Sequence, residues 1–377
     1  MAGARDGEFR ELISPFLKAK IAEAESEWGA ESPPVLALTR QYVRDPLENL
    51  TRAVERRRHY ESELMLEFEG RPVVGIERLY RRTVLIEPST VCAAHCRWCL
   101  RGQYPVQTMT RDEITHAARY IGSAALRDDI REVLITGGDP LMSPPLLRHT
   151  LAQLRAHAPN VCIVRIGSRV PFQDPDRVDD AMLEMFLRFG EFRFELGVNV
   201  NHAVEFWPES VAAIGRLQAI GFRVYNQHPL LKGVNDDLET LVEHYSLLRE
   251  YDIEAHYLFH AIPMRGMSHH RTSLEKGLRL ATALSSCGEF SGRAKPRYAV
   301  LSDIGKIVLY HGSIVERRPA ERTLLLRSGF SYADRIRWNP SWQKPESVIV
   351  ADDGTMLTWY LDGTDETDAE LLGECAS

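Results

Sequence analysis

TVCAAHCRWCLRG, residues 90–102, places three of the chain's six cysteines within eight residues. Three residues separate Cys92 from Cys96, and two separate Cys96 from Cys99. Three thiolates can hold three irons of a cubane [4Fe–4S] cluster, which normally takes four cysteines, so one iron would stay open to another ligand. A zinc site would need a fourth ligand at regular spacing. A plain electron-transfer cluster and a chance grouping remain as alternatives.

Length and composition favour an ordinary globular protein. The chain has 377 residues, 44% of them hydrophobic and 26% charged, with a formal charge of −7 that gives no global attraction to nucleic acid or anionic membranes. Because the sequence shows neither a long apolar stretch nor a signal-peptide core, we expect a cytoplasmic protein. Thiols stay reduced there, so a tight cysteine cluster indicates a metal or catalytic site. Cys162, Cys287 and Cys375 are too scattered to form a disulfide framework.

From about residue 84 the sequence alternates short β-rich runs with helical runs, a pattern typical of βα units. The runs are TVLIEP, EVLITGG, VCIVRIGS, FELGVNV, FRVYNQHPLL, EAHYLFHA and RYAVLSD. They predict an α/β protein with a mainly parallel sheet, either curled into a barrel or left open. Several chemically suggestive residues follow the ends of these runs, where ligands gather in such folds.

We expect three parts along the chain. Residues 1–75 are helix-like and charged and predict an N-terminal helical cap, residues 76–312 form the βα region, and residues 313–377 form a C-terminal extension. In the extension, SVIVADDGTMLTWYLDG predicts a hairpin that turns at Asp353-Gly354.

The cysteine loop, with an aromatic residue before its last cysteine, resembles the signature of the radical S-adenosylmethionine (SAM) enzymes. The resemblance implies a partial (β/α)6 barrel, SAM chelated by the open iron, and its cleavage to a 5′-deoxyadenosyl radical. In that family Trp98 would lie beside the adenine, although a core aromatic would fit the same position. A Gly-Gly-acidic motif after the second strand meets the methionine amino group, and the matching residues here are Thr136, Gly137, Gly138 and Asp139.

The resemblance is closer to the lysine 2,3-aminomutase group, radical SAM enzymes that also use pyridoxal 5′-phosphate (PLP). It extends from about Gly75 to Lys306. It rests on the segments CAAHCRWCLRG, VLITGGDPL, IVRIGSRVP, NVNHAVE, NQHPLLKGVND, HYLFHA, GMSHHRTSLEKG and DIGKI, in that order.

The group implies further site residues. Arg101 matches the arginine that grips the substrate carboxylate, a role suited to a planar guanidinium. Lys306 matches the lysine that attaches PLP, although DIGKI alone would indicate a hairpin turn with a surface lysine. Tyr80 matches a tyrosine near the PLP phosphate. The positions expected to line the SAM and PLP site are Ser168, Arg169, Asn201, His202 and Gln227.

Some positions depart from the group. Two aspartates that bind the substrate amine in the lysine enzyme are replaced at or near Ile262 and Ala299, so we expect a substrate other than lysine. Residues that could read a different side chain are His260, Arg265 and Asp303.

The cofactor and subunit features also differ. The glycine run before the PLP lysine is shortened to Ile304-Gly305. A phosphate-side arginine is replaced by Leu79, with Arg78, Arg81 and Arg82 nearby. The C-terminal cysteine-rich zinc segment is absent, and Asp237 stands where a cysteine is expected.

The resemblance therefore predicts an amino-acid 2,3-aminomutase that uses a [4Fe–4S] cluster, SAM and PLP. Its partners would be a small amino-acid substrate and a flavodoxin-type electron donor, without nucleic acid or membrane, and a homo-oligomer is compatible with the sequence. Two alternatives stay open. One is a radical SAM enzyme that dehydrogenates, epimerises or decarboxylates an amino acid, and the other is an iron–sulfur electron carrier or regulatory module.

Overall fold

The computed structural model describes residues 9–49, 66–78, 80–100, 106–264, 266–310, 312–368 and residue 370. Its α-helices are α1 (Pro15–Trp28), α2 (Pro33–Tyr42), α3 (Arg111–Ile121), α4 (Pro144–His157), α5 (Val170–Gln173), α6 (Asp180–Leu187), α7 (Pro208–Ala219), α8 (Leu238–Glu250), α9 (Leu274–Ser286) and α10 (Tyr332–Trp338). Its strands are β1 (Leu66–Phe68), β2 (Arg71–Val73), β3 (Ile76–Glu77), β4 (Thr83–Ser89), β5 (Glu132–Gly137), β6 (Ile163–Gly167), β7 (Arg193–Val198), β8 (Arg223–Leu230), β9 (Glu254–His260), β10 (Arg297–Ser302), β11 (Gly305–Val308), β12 (Ile314–Arg318), β13 (Thr323–Ser331), β14 (Val348–Val350) and β15 (Thr355–Leu361).

The main sheet confirms the α/β prediction. Within the described residues nine strands pair in the order β11-β10-β9-β8-β7-β6-β5-β4-β3. Strands β4 to β10 run parallel, and β3 and β11 flank them in the antiparallel direction. Each of the seven β-rich runs contributes one parallel strand, so six βα units are followed by a seventh strand. The sheet curls into a partial barrel, the architecture that the resemblance implies.

Local sequence signals set the helix ends. Thr110 accepts a hydrogen bond from the backbone N–H of Glu113, whose side chain reaches back to Thr110, so α3 begins with a capping box. Ser143 precedes α4, which carries proline at its first position. Gly221, with φ of +97°, follows α7 and lets the chain turn into β8.

The two faces of the sheet carry different side chains because residues alternate along each strand. One face packs against the helices and supplies the main apolar core, for example with Val133, Ile166 and Val300. The opposite, concave face carries polar groups. There Arg165 donates to Glu132 at 2.7 Å and to the Tyr225 hydroxyl at 2.9 Å. A self-contained polar cluster therefore lies on the concave face.

A four-stranded antiparallel sheet forms the C-terminal part, in the order β12-β13-β15-β14. The expected hairpin is confirmed, because β14 pairs with β15 and Gly354 adopts φ of +80° at the turn. Arg271, which precedes α9, donates to the carbonyls of Ala261, Leu361 and Asp362, so its guanidinium joins this sheet to the barrel.

No helix in the described part of the chain combines the length and apolarity that a membrane span requires. The division into residues 1–75, 76–312 and 313–377 stays our proposal for the domain organisation.

Candidate active site

The cysteine loop follows the carboxyl end of β4. Cys92, Cys96 and Cys99 are free thiols, half-buried, and near enough that charge on Cys99 and Cys96 influences Cys92. Burial raises the pKa of Cys92, the neighbouring sulfurs raise it further, and a hydrogen bond from the Asp139 backbone lowers it. Among the described residues no three histidine, cysteine or acidic side chains could hold one metal ion.

The N-terminal segment holds the cysteine loop in place. The backbone N–H of His95 donates to Leu12 O at 2.7 Å, and that of Arg97 donates to Gln41 O at 2.8 Å. Arg97 is buried and donates through Nε to Glu48 at 2.7 Å. The backbone between the cysteines is therefore fixed by residues distant in sequence.

Asp139, at the end of β5, organises the chain around it. Its buried carboxylate accepts from the Ser168 hydroxyl at 2.8 Å, from the Arg169 N–H at 2.7 Å and from the Val170 N–H at 3.1 Å. It also accepts from the N–H of Leu141 at 3.0 Å. Burial raises the pKa of Asp139, and these donors offset part of that effect. Asp139 and Ser168, both expected at the site, are thus in direct contact.

The glycine pair before Asp139 serves close packing. A Cβ on Gly137 would lie 2.5 Å from Ser89 O, and one on Gly138 would lie 2.3 Å from Val91 O. The close approach that the glycine pair allows is therefore to the chain's own loop before Cys92. Thr136 lies beside Gly167 of β6, on the concave face.

Arg169 lies at the centre of a buried polar network. Its Nη1 donates to Cys96 Sγ at 3.0 Å, and its Nη2 donates to Glu205 at 2.6 Å and to Gln41 Oε1 at 3.3 Å. Burial by itself lowers the pKa of Arg169, but Cys96, Tyr42 and Glu205 outweigh it and the net shift is upward. Arg169 therefore stays charged beside a cluster cysteine.

Asn201 and His202 join the same network. Asn201 Nδ2 donates to Gln41 Oε1 at 2.6 Å, and the backbone N–H groups of Asn201 and His202 donate to Glu205 at 2.8 and 3.1 Å. Burial lowers the pKa of His202, whose Nδ1 accepts from the Val204 N–H at 3.0 Å. The Oδ1 of Asn201 is buried without a hydrogen-bond partner, as a polar atom that awaits a ligand would be.

Trp98, within the cysteine loop, faces α2. It packs against Ala37, Leu231, Val234 and Ala261, and the Arg169 guanidinium lies 5.2 Å from its ring centroid. Its buried Nε1 has no hydrogen-bond partner. The aromatic position of the motif is thus adjacent to the arginine that contacts Cys96.

Lys306 also lies on the concave face, on the edge strand β11, across the sheet from β4. It pairs with Leu301 across the β10–β11 hairpin, while the next residue, Ile307, belongs to the helix-side core. Its Nζ lies 5.3 Å from the ring centroid of Tyr257 and 5.2 Å from that of Phe259. Gln227 is the register partner of Tyr257, and its buried Oε1 has no partner. Lys306 is half-buried over an aromatic platform, in contrast to the surface lysine that the turn alone would indicate.

Tyr80 precedes β4, so it lies at the amino end of that strand. Its ring is 5.9 Å from that of Phe330 in the C-terminal sheet. Arg335 lies over Phe330 at 5.4 Å and donates to Ile304 O, two residues before Lys306. The C-terminal part therefore links Tyr80 to the hairpin that carries Lys306. Two of the three candidate phosphate arginines, Arg78 and Arg81, form ion pairs with Asp129.

The substrate-side candidates are only partly described. Arg101, Arg265 and Leu79 lie outside the described residues. His260 hydrogen-bonds the Tyr298 hydroxyl at 2.8 Å. That hydroxyl packs against Gly277 of α9. Asp303 accepts from Ser347 of the C-terminal part. The structure thus places His260 on the helix side of the sheet, although the sequence offered it as a reader of the substrate side chain.

Sequence reasoning missed three buried residues at the site, Gln41, Glu205 and Gln173. Gln173 Nε2 donates to Cys96 Sγ at 3.3 Å, and Glu205 is fully buried beneath Arg169. Glu205 carried one usable signal, since it lies three residues after His202 in a capping arrangement. Gln41 and Gln173 carried none, because an isolated glutamine in a helical run is normally a solvated residue.

The site geometry fits the group that the sequence resembles. Three thiols with two side-chain donors on Cys96 suit a cluster, and the orphan Asn201 Oδ1 and Trp98 Nε1 suit a polar ligand beside it. The half-buried amine of Lys306, its two aromatic neighbours and the orphan Gln227 Oε1 suit a flat cofactor attached to the lysine.

Comparisons with known proteins agree. The profile of the radical SAM superfamily matches residues 86–245. The chain is 35% identical over 240 residues to a putative L-lysine 2,3-aminomutase of Aquifex aeolicus, with 62% of each chain covered. It is 34% identical over 238 residues to the L-lysine 2,3-aminomutase of Methanococcus maripaludis, covering 62% of this chain and 53% of that one.

It is also 30% identical over 230 residues to the glutamate 2,3-aminomutase of Clostridioides difficile, covering 61% of this chain and 53% of that one. Among solved structures, a radical SAM methyltransferase from Sphaerobacter thermophilus aligns with a TM-score of 0.44 at 20% identity, covering 59% of this chain and 68% of that one. The chain spans between about half and two thirds of the length of the curated relatives it matches. The cysteine loop, the partial barrel and these relatives make the chain similar to the radical SAM superfamily and, within it, to the lysine 2,3-aminomutase-like group.

Proposed function

We propose that the protein is a PLP-dependent radical SAM 2,3-aminomutase that converts an α-amino acid other than lysine into a β-amino acid. The observation that carries this proposal is the position of Lys306. It lies on the concave face beside the carboxyl end of β10, and the cysteine loop follows the carboxyl end of β4. Carboxyl ends of parallel strands share one edge of a sheet, so an amine and a cluster loop flank the same mouth.

When bound, the cluster and SAM supply a hydrogen-abstracting radical, and PLP supplies the π-system over which an amino group can migrate. The chain's own residues would hold the reactants. Arg101 is proposed to fix the substrate carboxylate, and Lys306 to attach PLP beside the rings of Tyr257 and Phe259. Ser168, Asn201, His202 and Gln227 are proposed to line the cofactor site. Tyr80, at the amino end of β4, stays a prediction of the resemblance. A flavodoxin-type reductant is the proposed electron donor.

The proposal of a substrate other than lysine rests on the side chains at two positions. Ala299 is fully buried on the concave face, in register with Phe259, and Ile262 is half-buried after β9. Neither can pair with an ammonium group, and a buried unpaired charge is costly. A relative named as a glutamate enzyme supports the idea that this group handles more than one side chain.

Two measurements test the proposal. Anaerobically prepared protein is expected to bind PLP with a visible absorbance band that disappears in Lys306→Ala. The band should persist in the control Lys295→Ala, since the half-buried amine of Lys295 donates to Ser285 O. With SAM, reductant and a panel of α-amino acids, one substrate should yield a β-amino acid without net consumption of SAM. A protein that binds no PLP after reconstitution would sink the aminomutase proposal. Stoichiometric 5′-deoxyadenosine without a β-amino acid would instead identify another radical reaction.

A further inference from the structure

Two buried side chains donate hydrogen bonds to the sulfur of Cys96. Arg169 Nη1 lies 3.0 Å from Sγ, and Gln173 Nε2 lies 3.3 Å from it. Gln173 is 1% exposed and Arg169 is 6% exposed, so water does not compete for these hydrogen bonds.

Helix α5, which carries Gln173, is pinned at both ends. At its start the Asp139 carboxylate accepts from the N–H groups of Arg169 and Val170. At its end the Ser14 hydroxyl donates to the Gln173 carbonyl, and the same Ser14 caps α1 by accepting from Leu17 N at 3.1 Å. The backbone that carries Gln173 is thus fixed by two elements outside its own helix.

The charge on Arg169 is balanced nearby. Glu205 accepts from Nη2 at 2.6 Å, and Gln41 Oε1 accepts from the same nitrogen at 3.3 Å. A compensated guanidinium acts on the sulfur mainly as a directed N–H donor. Such donors stabilise the more negative, reduced state of an iron–sulfur cluster, because hydrogen bonds to the sulfurs tune its reduction potential.

We propose that Gln173, together with Arg169, raises the reduction potential of the [4Fe–4S] cluster by donating hydrogen bonds to Cys96 Sγ. Gln173 is then a positioning residue that eases the transfer of one electron from the external reductant to the cluster. The inference depends on the cluster alone and does not depend on the aminomutase reaction.

The test replaces the donor and keeps the shape. Gln173→Leu and Gln173→Met remove the N–H groups that donate to Cys96. The control is Gln218→Leu, which removes a half-buried glutamine of α7 that donates to Tyr251 O at 2.8 Å. Reconstituted proteins are titrated with dithionite and mediators in the absence of SAM, with the reduced cluster followed by electron paramagnetic resonance and iron measured chemically.

Both Gln173 variants are expected to keep their iron. At the potential that reduces half of the wild-type cluster, their ratio of reduced to oxidised cluster should fall about fivefold. The Gln218→Leu variant should titrate like the wild type. A loaded Gln173 variant with the wild-type potential would overturn the proposal. So would failure of both variants to hold iron while Gln218→Leu loads, since Gln173 would then be needed for assembly.

Discussion

Glu48 and Arg97 form a buried ion pair that ties the N-terminal segment to the middle of the cysteine loop. The Arg97 side chain is fully buried and that of Glu48 is 11% exposed. Arg97 also donates to the carbonyls of Phe9 at 2.9 Å and Arg10 at 3.3 Å, and its guanidinium lies 4.5 Å from the Phe9 ring centroid. Arg97, which lies between Cys96 and Cys99, thus holds parts of the N-terminal segment that are distant from it in sequence.

Replacement of Glu48 should therefore affect both stability and the cluster. Glu48→Gln leaves the Arg97 guanidinium buried without its counter-charge, a change that costs about 3–5 kcal/mol in comparable pairs. We expect the free energy of unfolding in urea to fall by that order and the iron content after reconstitution to fall with it. Glu316→Gln is the control, because its pair with Arg318 is exposed and such pairs contribute about 0–1 kcal/mol. Equal effects of the two substitutions would contradict this account of the loop.

The thiols predict a sharp division of roles. Cys96→Ser should lower the iron content after anaerobic reconstitution and abolish SAM cleavage, because an open cubane depends on all three thiolates. Cys287→Ser should keep both, since Cys287 follows α9 and its thiol donates to Leu284 O at 3.0 Å, outside the loop. Iron analysis and detection of 5′-deoxyadenosine check the two variants. Full activity in Cys96→Ser would remove the cluster assignment.

The strands and the cysteine loop could be predicted because their signals are local. A β-rich run shows in a few consecutive residues, and the spacing of Cys92, Cys96 and Cys99 lies within one loop. The concave position of Lys306 was not available from the hairpin itself, since it depends on the register between β10 and β11.

The buried polar network could not be predicted because it also depends on contacts between residues that are distant in sequence. Gln41 bonds Arg169 and Asn201 only after α2 has packed onto the carboxyl edge of the sheet. His260 shows the reverse error. Its place after a strand suggested the substrate side, but the pleat turns it toward Tyr298 and the helices.

Buried histidines predict acid sensitivity. Burial lowers the pKa of His228 from 6.5 to about 3, and the ring bonds the Tyr245 hydroxyl at 2.9 Å. Because the folded-state pKa is the lower one, the unfolded chain takes up the proton first. The stability that this group contributes is present above pH 6.5 and is lost as the pH falls toward 3.

His228→Gln should therefore flatten the pH dependence. Near pH 5.5 the slope of the unfolding free energy should fall by about 1.2 kcal/mol per pH unit relative to the wild type. Urea titrations from pH 5 to 8 measure it. The difference at pH 8 gives the packing cost separately, and an unchanged slope would show that His228 titrates in the folded protein as in the unfolded one.

Arg271 predicts how the C-terminal sheet is held. Arg271 is 2% exposed, and its guanidinium donates to Ala261 O at 3.0 Å, Asp362 O at 3.1 Å and Leu361 O at 2.6 Å. A lysine keeps the charge but has its donors on one atom, so it cannot reach carbonyls on both sides of the junction. Arg271→Lys should lower the free energy of unfolding by at least about 2 kcal/mol, because buried carbonyls lose charged donors.

Hydrogen exchange locates the effect of this substitution. Amide protection should fall first in β15 and in residues 362–368, while β4 to β8 keep theirs, since the guanidinium contacts only the junction. Arg317→Lys is the matched control, because its pair with Glu275 at 3.2 Å is exposed and should change stability by less than about 0.5 kcal/mol. Uniform loss of protection through the barrel would mean that Arg271 stabilises the whole fold rather than the attachment of one sheet.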